Sequence, residues 1–230
     1  MDLRAVIFDC DGVLLDSFRE GLRRIQVLAA INDVVFDRST RRRLQELWGL
    51  PGIELLQQGL QISEALARSI YPQWEKMDLV NPLLFVPGSR DTLFWLRKNG
   101  FVRCLLTSRH RENVTAILDR TDYLREFDII ATRQDAYIPK PDKRAFDFVL
   151  GRLRSEFKIK RSQCVSVGDT PADIIGGRNS NIETLVVQTG PYLLEHSRTL
   201  HVRLENILSS VDSLPEWIEK YHEGRLSFYK

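Results

Sequence analysis

Two carboxylates, Asp9 and Asp11, stand one residue apart where the apolar run Ala5–Phe8 ends, in the segment AVIFDCDGVLLDS. Like charges so placed repel unless something compensates them. The pair therefore points to a metal site, to a nucleophile with an acid/base partner, or to a solvated acidic turn. Polar groups gather at three more places. VRCLL is followed by Thr107 and Ser108, the IPKPDKRAF stretch carries Lys140, and CVSV is followed by GDTPAD with Asp169 and Asp173.

If these places meet in one crevice, charge dictates the chemistry. Asp9, Asp11 and Asp169 together need a cation, and Mg²⁺ suits an all-oxygen, partly hydrated site with one or two carboxylates and a phosphate oxygen. A carboxylate can attack phosphorus to give an aspartyl-phosphate, and phosphoryl transfer then asks mainly for positioning and charge neutralisation. Thr107, Ser108 and backbone N–H groups can hold phosphate oxygens, and Lys140 can neutralise both the nucleophile and the transferred group. Asp11 is placed to protonate the leaving oxygen and then activate water.

Each feature also has a plainer reading. Asp9–Gly12 alone can be an acidic turn, Thr107–Ser108 a helix N-cap, Lys140 a solvated lysine, and Gly168–Pro171 a turn followed by an N-cap and a first-turn proline. An EF-hand starting at Asp9 fails, because the position that requires glycine is Leu14 and the approach is a strand. The four histidines lack metal-ligand spacing. Cys10 lies between two acids that raise a thiol pKa, which argues against a nucleophile. Arg23, Arg24 and the Ser39–Arg43 run read as a solvated helix face, and the four tryptophans as core.

The elements that would position these residues alternate. Val6–Phe8, Phe101–Leu106, Asp128–Ala131, Cys164–Val167 and Thr184–Val187 read as strands, with a weaker candidate at Leu200–Leu204. Between them lie helices: one begun by Ser89 and closed by Gly100, one carrying Val114, Ile117 and Leu118, one over Asp142–Leu153 with Phe146, Val149, Leu150 and Leu153 on one side, one over Pro171–Arg178, and a last one near Leu214–Tyr221. This alternation predicts an α/β fold with a Rossmann-like, doubly wound, mostly parallel sheet, whose ligands bind beyond the carboxyl ends of the strands. Phe18 to Met77 interrupts the pattern with purely helical spacing, and Pro72 is expected to kink or end the last of those helices. An inserted all-helical cap domain over 17–86 follows, with 1–16 and 87–230 as the catalytic core.

Composition narrows the classes. The 230 residues carry a formal net charge of +2, which gives no global case for nucleic-acid binding. No run approaches the roughly 20 apolar residues that span a bilayer, and the opening MDLRAVIFDC is too short and too acidic for a signal peptide. Three cysteines in or beside apolar strand-like runs suggest free thiols and a reducing, cytoplasmic setting. Oligomeric state stays open.

These residues resemble the haloacid dehalogenase-like hydrolase superfamily in order, spacing and the position of the helical insert. DCDGVLLDS is similar to its first motif, Thr107–Ser108 to the second, Lys140 in PKPDKRAF to the third, and GDTPADIIGG to the fourth. The resemblance implies Asp9 as nucleophile, Asp11 as acid/base, Asp9, Asp11 and Asp169 around Mg²⁺, and Asp173 supporting its waters. It implies the helical-cap branch of phosphoglycolate phosphatase-like and beta-phosphoglucomutase-like members. Asp11 favours phosphate monoester hydrolysis or phosphomutase chemistry over dehalogenation. The cap segment LWGLPGIELLQ resembles a substrate-selecting loop, with Trp48 and Gly49 as candidates, and reads equally as a simple helix–helix turn. Arg109, directly after the second motif, matches no one substrate class. The expected partner is a small phosphorylated metabolite; the alternatives are a phosphomutase and a non-catalytic phosphate- or partner-binding protein.

Overall fold

The computed structural model describes residues 2–80, 83–119, 123–135, 138–192 and 194–226. Six strands form one sheet: β1 (Ala5–Phe8), β2 (Val102–Leu106), β3 (Ile129–Ala131), β4 (Cys164–Gly168), β5 (Glu183–Val187) and β6 (Ile207–Leu208). Their spatial order is β3-β2-β1-β4-β5-β6, and every pairing is parallel. The order reverses direction between β1 and β4, the topological switch point at which doubly wound sheets bind ligands. The expected α/β fold with a Rossmann-like sheet is thus observed. All four residues of β1 and all five of β2 and of β4 are buried, as a sheet covered on both faces demands.

Register fixes the working edge. Phe8 pairs with Leu105 on one side and Val167 on the other, so the chain leaves β1, β2 and β4 at the same level. The residues that follow, Asp9, Thr107 and Asp169, are the polar ones. Asp9 N–H donates to the Val167 carbonyl at 2.9 Å and Thr107 N–H to the Ala131 carbonyl at 3.0 Å, which anchors both backbones.

The helices around this sheet are α5 (Ser89–Lys98), α6 (Arg111–Asp119), α7 (Arg144–Phe157), α8 (Pro171–Asn179), α9 (Leu194–Thr199) and α10 (Leu214–His222). The stripe Phe146, Val149, Leu150 and Leu153 of α7 is buried against Ile7, Cys104, Leu106 and Ile129, as its spacing predicts. Arg103 is buried within β2. Its guanidinium meets Asp128 at 3.1 Å and Glu126 at 3.3 Å, which compensates a charge the sheet would otherwise reject.

Three expectations change. Ser89 is the first helical residue rather than the cap. Gly88, at φ +78°, takes the cap position, and the fully buried Ser89 hydroxyl meets the Tyr123 hydroxyl at 3.0 Å. The weak strand lies at Ile207–Leu208, after a 3-10 turn, and not at Leu200–Leu204. Arg24 is buried, not solvated. It sits one turn from Glu20 and pairs with it at 2.9 Å, which hides the charge from a periodicity argument.

The chain divides into two compact units, residues 1–15 with 85–230, and residues 16–84. The second contains α1 (Ser17–Ile31), α2 (Arg38–Glu46), α3 (Gly52–Leu60) and α4 (Glu64–Val80). Its own core joins Leu22, Ile25 and Leu28 of α1 with Leu44, Leu56, Ala67 and Ile70. Pro72 does not end α4, which runs on to Val80. A mid-helix proline costs about 3 kcal/mol, and full burial of a side chain such as Ile70 returns ~1.5–3 kcal/mol, so Ile70 and its neighbours hold the helix through it.

Within this unit Gly59 lies against Leu44, so that a Cβ built on Gly59 would overlap the leucine side chain. Leu44→Ala is expected to cost about 2–5 kcal/mol in denaturant unfolding. Gly59→Ala is expected to be at least ~1 kcal/mol more favourable in the Leu44→Ala background than alone. Strict additivity in the double-mutant cycle would show that the two positions do not touch.

Candidate active site

Asp9 and Asp169 leave adjacent strands, β1 and β4, at the switch point, and Lys140 reaches them from the segment between β3 and α7. The Lys140 ammonium lies 3.0 Å from Asp9 Oδ1 and donates to Asp173 Oδ1 at 2.5 Å. Asp173 is fixed by local sequence. Thr170 caps α8 with Pro171 in its first turn, and Asp173 is the third helical residue of a capping box. Its Oδ2 accepts from Thr170 N–H at 3.0 Å, Thr170 Oγ1 at 2.6 Å and Asp169 N–H at 3.3 Å. The turn-plus-cap reading of GDTPAD is realised, and the same loop carries Asp169 and Asp173 to the sheet edge.

Asp169 is the opposite case. Its side chain is buried, and among the described residues neither carboxylate oxygen has a hydrogen-bond partner. A buried, unpartnered carboxylate costs several kcal/mol, so the site is built for a ligand that supplies positive charge. Two glycines clasp this carboxylate. A Cβ on Gly12 (φ +71°) or on Gly190 would overlap Asp169 Oδ2.

One carboxylate oxygen from each of Asp9, Asp169 and Asp173 lies within 4.8 Å of the others. When all three are ionised, three carboxylates against one ammonium leave two negative charges, the complement of a divalent cation. The donor set is all oxygen, which suits a hard ion. Because Asp173 already accepts four hydrogen bonds, Asp9 and Asp169 are the side chains that could hold such an ion. Burial pushes the Asp9 carboxyl up to about 7, Lys140 restraining the shift and the Asp173 and Asp11 charges adding to it. Asp169 is driven well above the usual carboxylate range, first by burial and then by the Asp9 and Asp173 charges. Burial alone would depress Lys140, but the Asp173 and Asp9 charges outweigh it and hold the ammonium protonated. The Cys10 thiol is raised mainly by burial and then by Asp11, which leaves it unreactive.

The Asp11 carboxylate is not part of this group. Arg109 holds it in a bidentate pair, Nε to Oδ2 at 2.7 Å and Nη2 to Oδ1 at 2.6 Å. Thr107 is buried and its Oγ1 accepts from Arg109 N–H at 3.1 Å, so its own hydroxyl proton is available to an anion; Ser108 is exposed. Trp48 and Gly49 lie in the helical unit. Trp48 is half-buried edge-on to Phe18 at 5.0 Å and near Trp74 at 6.1 Å, and its ring covers Gly21. It is thus a member of that unit's aromatic core.

Sequence reasoning missed the loop after β5. Thr189 Oγ1 donates to the Gly12 carbonyl and Gly190 backs onto Asp169. The signal was available, since Gln188–Pro191 follows a buried strand at the same sheet edge. The partnership of Arg109 with Asp11 had no sequence signal, because 98 positions separate the two residues.

The fold and site are thus a parallel sheet with Asp9 and Asp169 at its switch point and a lysine joining Asp9 to the capping-box Asp173. The chain belongs to the haloacid dehalogenase-like hydrolase family, which matches residues 6–187. It is 26% identical over 219 residues to a phosphorylated carbohydrates phosphatase of Thermotoga maritima, covering 90% of this chain and 97% of that protein. It is 26% identical over 205 residues to a phosphoglycolate phosphatase of Pseudomonas fluorescens, covering 81% and 70% respectively. A crystal structure of a hydrolase from Pseudomonas syringae superposes with a TM-score of 0.71 at 20% identity over 94% of this chain and 98% of that one, a likeness of fold.

The raised Asp9 group sets a pH window. Because its folded pKa lies above the ordinary carboxylate value, its contribution to the stability of the metal-free protein is complete below about pH 4 and is lost as pH rises through about 7. A divalent cation reverses that loss by binding the carboxylate form. Adding MgCl₂ or MnCl₂ about 100-fold above its Kd at pH 8 should raise the unfolding midpoint by roughly 5–10 °C. The rise should shrink at pH 5.5 and vanish in Asp169→Ala. An undiminished rise in that variant would show that the ion binds elsewhere.

Proposed function

We propose that this chain is a Mg²⁺-dependent phosphatase that hydrolyses a small phosphorylated metabolite, phosphoglycolate-like or a sugar phosphate, through an aspartyl-phosphate on Asp9. The observation that carries the reading is the buried Asp169, without a hydrogen-bond partner among the described residues, beside the Asp9–Lys140–Asp173 chain of charges. The named activities of the Thermotoga and Pseudomonas relatives support the substrate class.

In this reading Asp9 attacks phosphorus, and the bond from phosphorus to the ester oxygen breaks with its electron pair going to that oxygen. Asp11 hands the oxygen a proton, so the alcohol leaves neutral. Asp11, now a carboxylate, then takes a proton from water as the water attacks the phosphoryl group and returns Asp9 to a carboxylate. Lys140 spreads positive charge over Asp9 and the transferred oxygens, while Thr107, Ser108 and nearby backbone N–H groups hold those oxygens. Asp9 and Asp169 would hold Mg²⁺, with Asp173 fixing their surroundings. When bound, the ion supplies charge neutralisation for the nucleophile and the phosphoryl oxygens.

The helical unit takes the part of a cap, supported by its insertion directly after the Asp9–Asp11 segment. Trp48 and Gly49 are its candidates for substrate selection. Cys10, Cys104 and Cys164 are buried and unbridged, which supports a reducing, cytoplasmic setting. Among the described residues, no helix is long and apolar enough to cross a membrane.

A panel of phosphorylated metabolites assayed for released phosphate with MgCl₂ should identify a substrate class. Asp9→Asn should lower turnover of any substrate found by about 10⁴-fold or more with the fold intact by circular dichroism. Hydrolysis persisting in that variant would remove the covalent route. Conversion of a hexose phosphate to its isomer without phosphate release would assign a phosphomutase instead.

A further inference from the structure

The Asp11–Arg109 pair poses a problem for the reaction just described. An acid/base must come within about 2.6–3.2 Å of the ester oxygen, directly or through one water. Here both Asp11 oxygens accept from one guanidinium, at 2.7 and 2.6 Å. A fork of this kind is the strongest pairing a carboxylate makes with a side chain. Its two members are 28% and 17% exposed, so water screens it only in part.

The fork is also delivered rigidly. Arg109 N–H donates to Thr107 Oγ1 at 3.1 Å, and the Arg109 carbonyl accepts from Arg133 N–H at 3.0 Å. The backbone of Arg109 is therefore tied both to the end of β2 and to the segment after β3. The pair opens when Asp11 or the guanidinium turns away, and something anionic must then replace the carboxylate in a partly buried fork. Guanidinium geometry accepts a carboxylate and a phosphoryl group equally well. Lys140 already meets Asp9 and Asp173, and in the phosphatase reading its remaining donor serves the transferred phosphoryl group and not a second anion.

We propose that Arg109 is a latch and a specificity residue: a second anionic group on the substrate, carboxylate or phosphoryl, takes the place of Asp11 in the guanidinium fork and so frees Asp11 to reach the ester oxygen. This rests on the phosphatase reading and adds to it the chemical class of substrate, a phosphate monoester bearing a further anion close to the ester oxygen. The second anion thereby acts on turnover and not on binding alone, since a substrate lacking it must open the pair without a replacement.

The test compares matched esters on the full-length chain with MgCl₂. 2-Phosphoglycolate against ethyl phosphate reads the carboxylate arm, and 1,3-propanediol bisphosphate against propyl phosphate reads the phosphoryl arm. Wild type should favour the doubly anionic member of at least one pair by about 10-fold or more in kcat/KM, with a substantial part in kcat. Arg109→Met should bring that ratio to near unity, and Arg109→Lys, which keeps the charge without the fork, should leave an intermediate ratio. A structural role alone would lower both members together and leave the ratio where it was.

A ratio unchanged in Arg109→Met, or equal rates on both members in wild type, would overturn the latch while leaving the phosphatase reading standing. Failure of wild type to release phosphate from any ester would instead overturn the phosphatase reading. If Arg109→Met does not fold by circular dichroism, the Arg109→Lys ratio decides: a reduced ratio supports the latch, and a ratio equal to wild type overturns it.

Discussion

Negative charge held out of water at the ends of two neighbouring strands is the constraint around which this molecule is arranged. β1 and β4 deliver Asp9 and Asp169 to the same level of the sheet, and burial leaves Asp169 with no hydrogen-bond donor among the described residues. Desolvating a carboxylate costs several kcal/mol even after relaxation, a sizeable share of a net stability of about 5–15 kcal/mol. The surrounding design limits that cost. Lys140 lies between Asp9 and Asp173, the α8 capping box saturates Asp173, and Gly12 and Gly190 give the Asp169 carboxylate room. The rest of the sheet, whose buried residues are mostly apolar, supplies the stability that such a site consumes.

What the amino-acid pattern made legible follows from this. Strand ends can be read because parallel strands buried on both faces are continuous apolar runs, and polarity returns abruptly where they stop. Asp9, Thr107 and Asp169 stand out for that reason. Readings failed where one residue type serves two physical ends. Ser89 has the chemistry of a cap but spends its hydroxyl on Tyr123. Arg24 has the look of a surface charge but is neutralised by Glu20 one turn away. Pro72 predicts a kink in its helix or an end to it, and tertiary packing carries α4 past it to Val80. The pairing of Arg109 with Asp11 was illegible because it joins residues distant in sequence through a contact that only the folded sheet creates, whereas the loop of Gly190 was legible as a strand end and only its approach to Asp169 was not.

The two compact units divide the work. The helical unit has its own apolar core, built on α1 to α4 and completed by Phe18, Trp48 and Trp74, so its packing can be accounted for internally. The carboxylates, the lysine and the arginine fork all belong to the other unit. Changes in the helical core are therefore changes of stability first, whereas changes at the sheet edge alter charge balance first.

The two outermost strands are the shortest, with β3 contributing three residues and β6 two. A long unpaired border invites another polypeptide to extend the sheet, and borders this brief offer too few backbone donors and acceptors to hold one. The architecture is thereby guarded against fibrous self-association at high concentration, with no charged or proline gatekeeper needed inside either border strand.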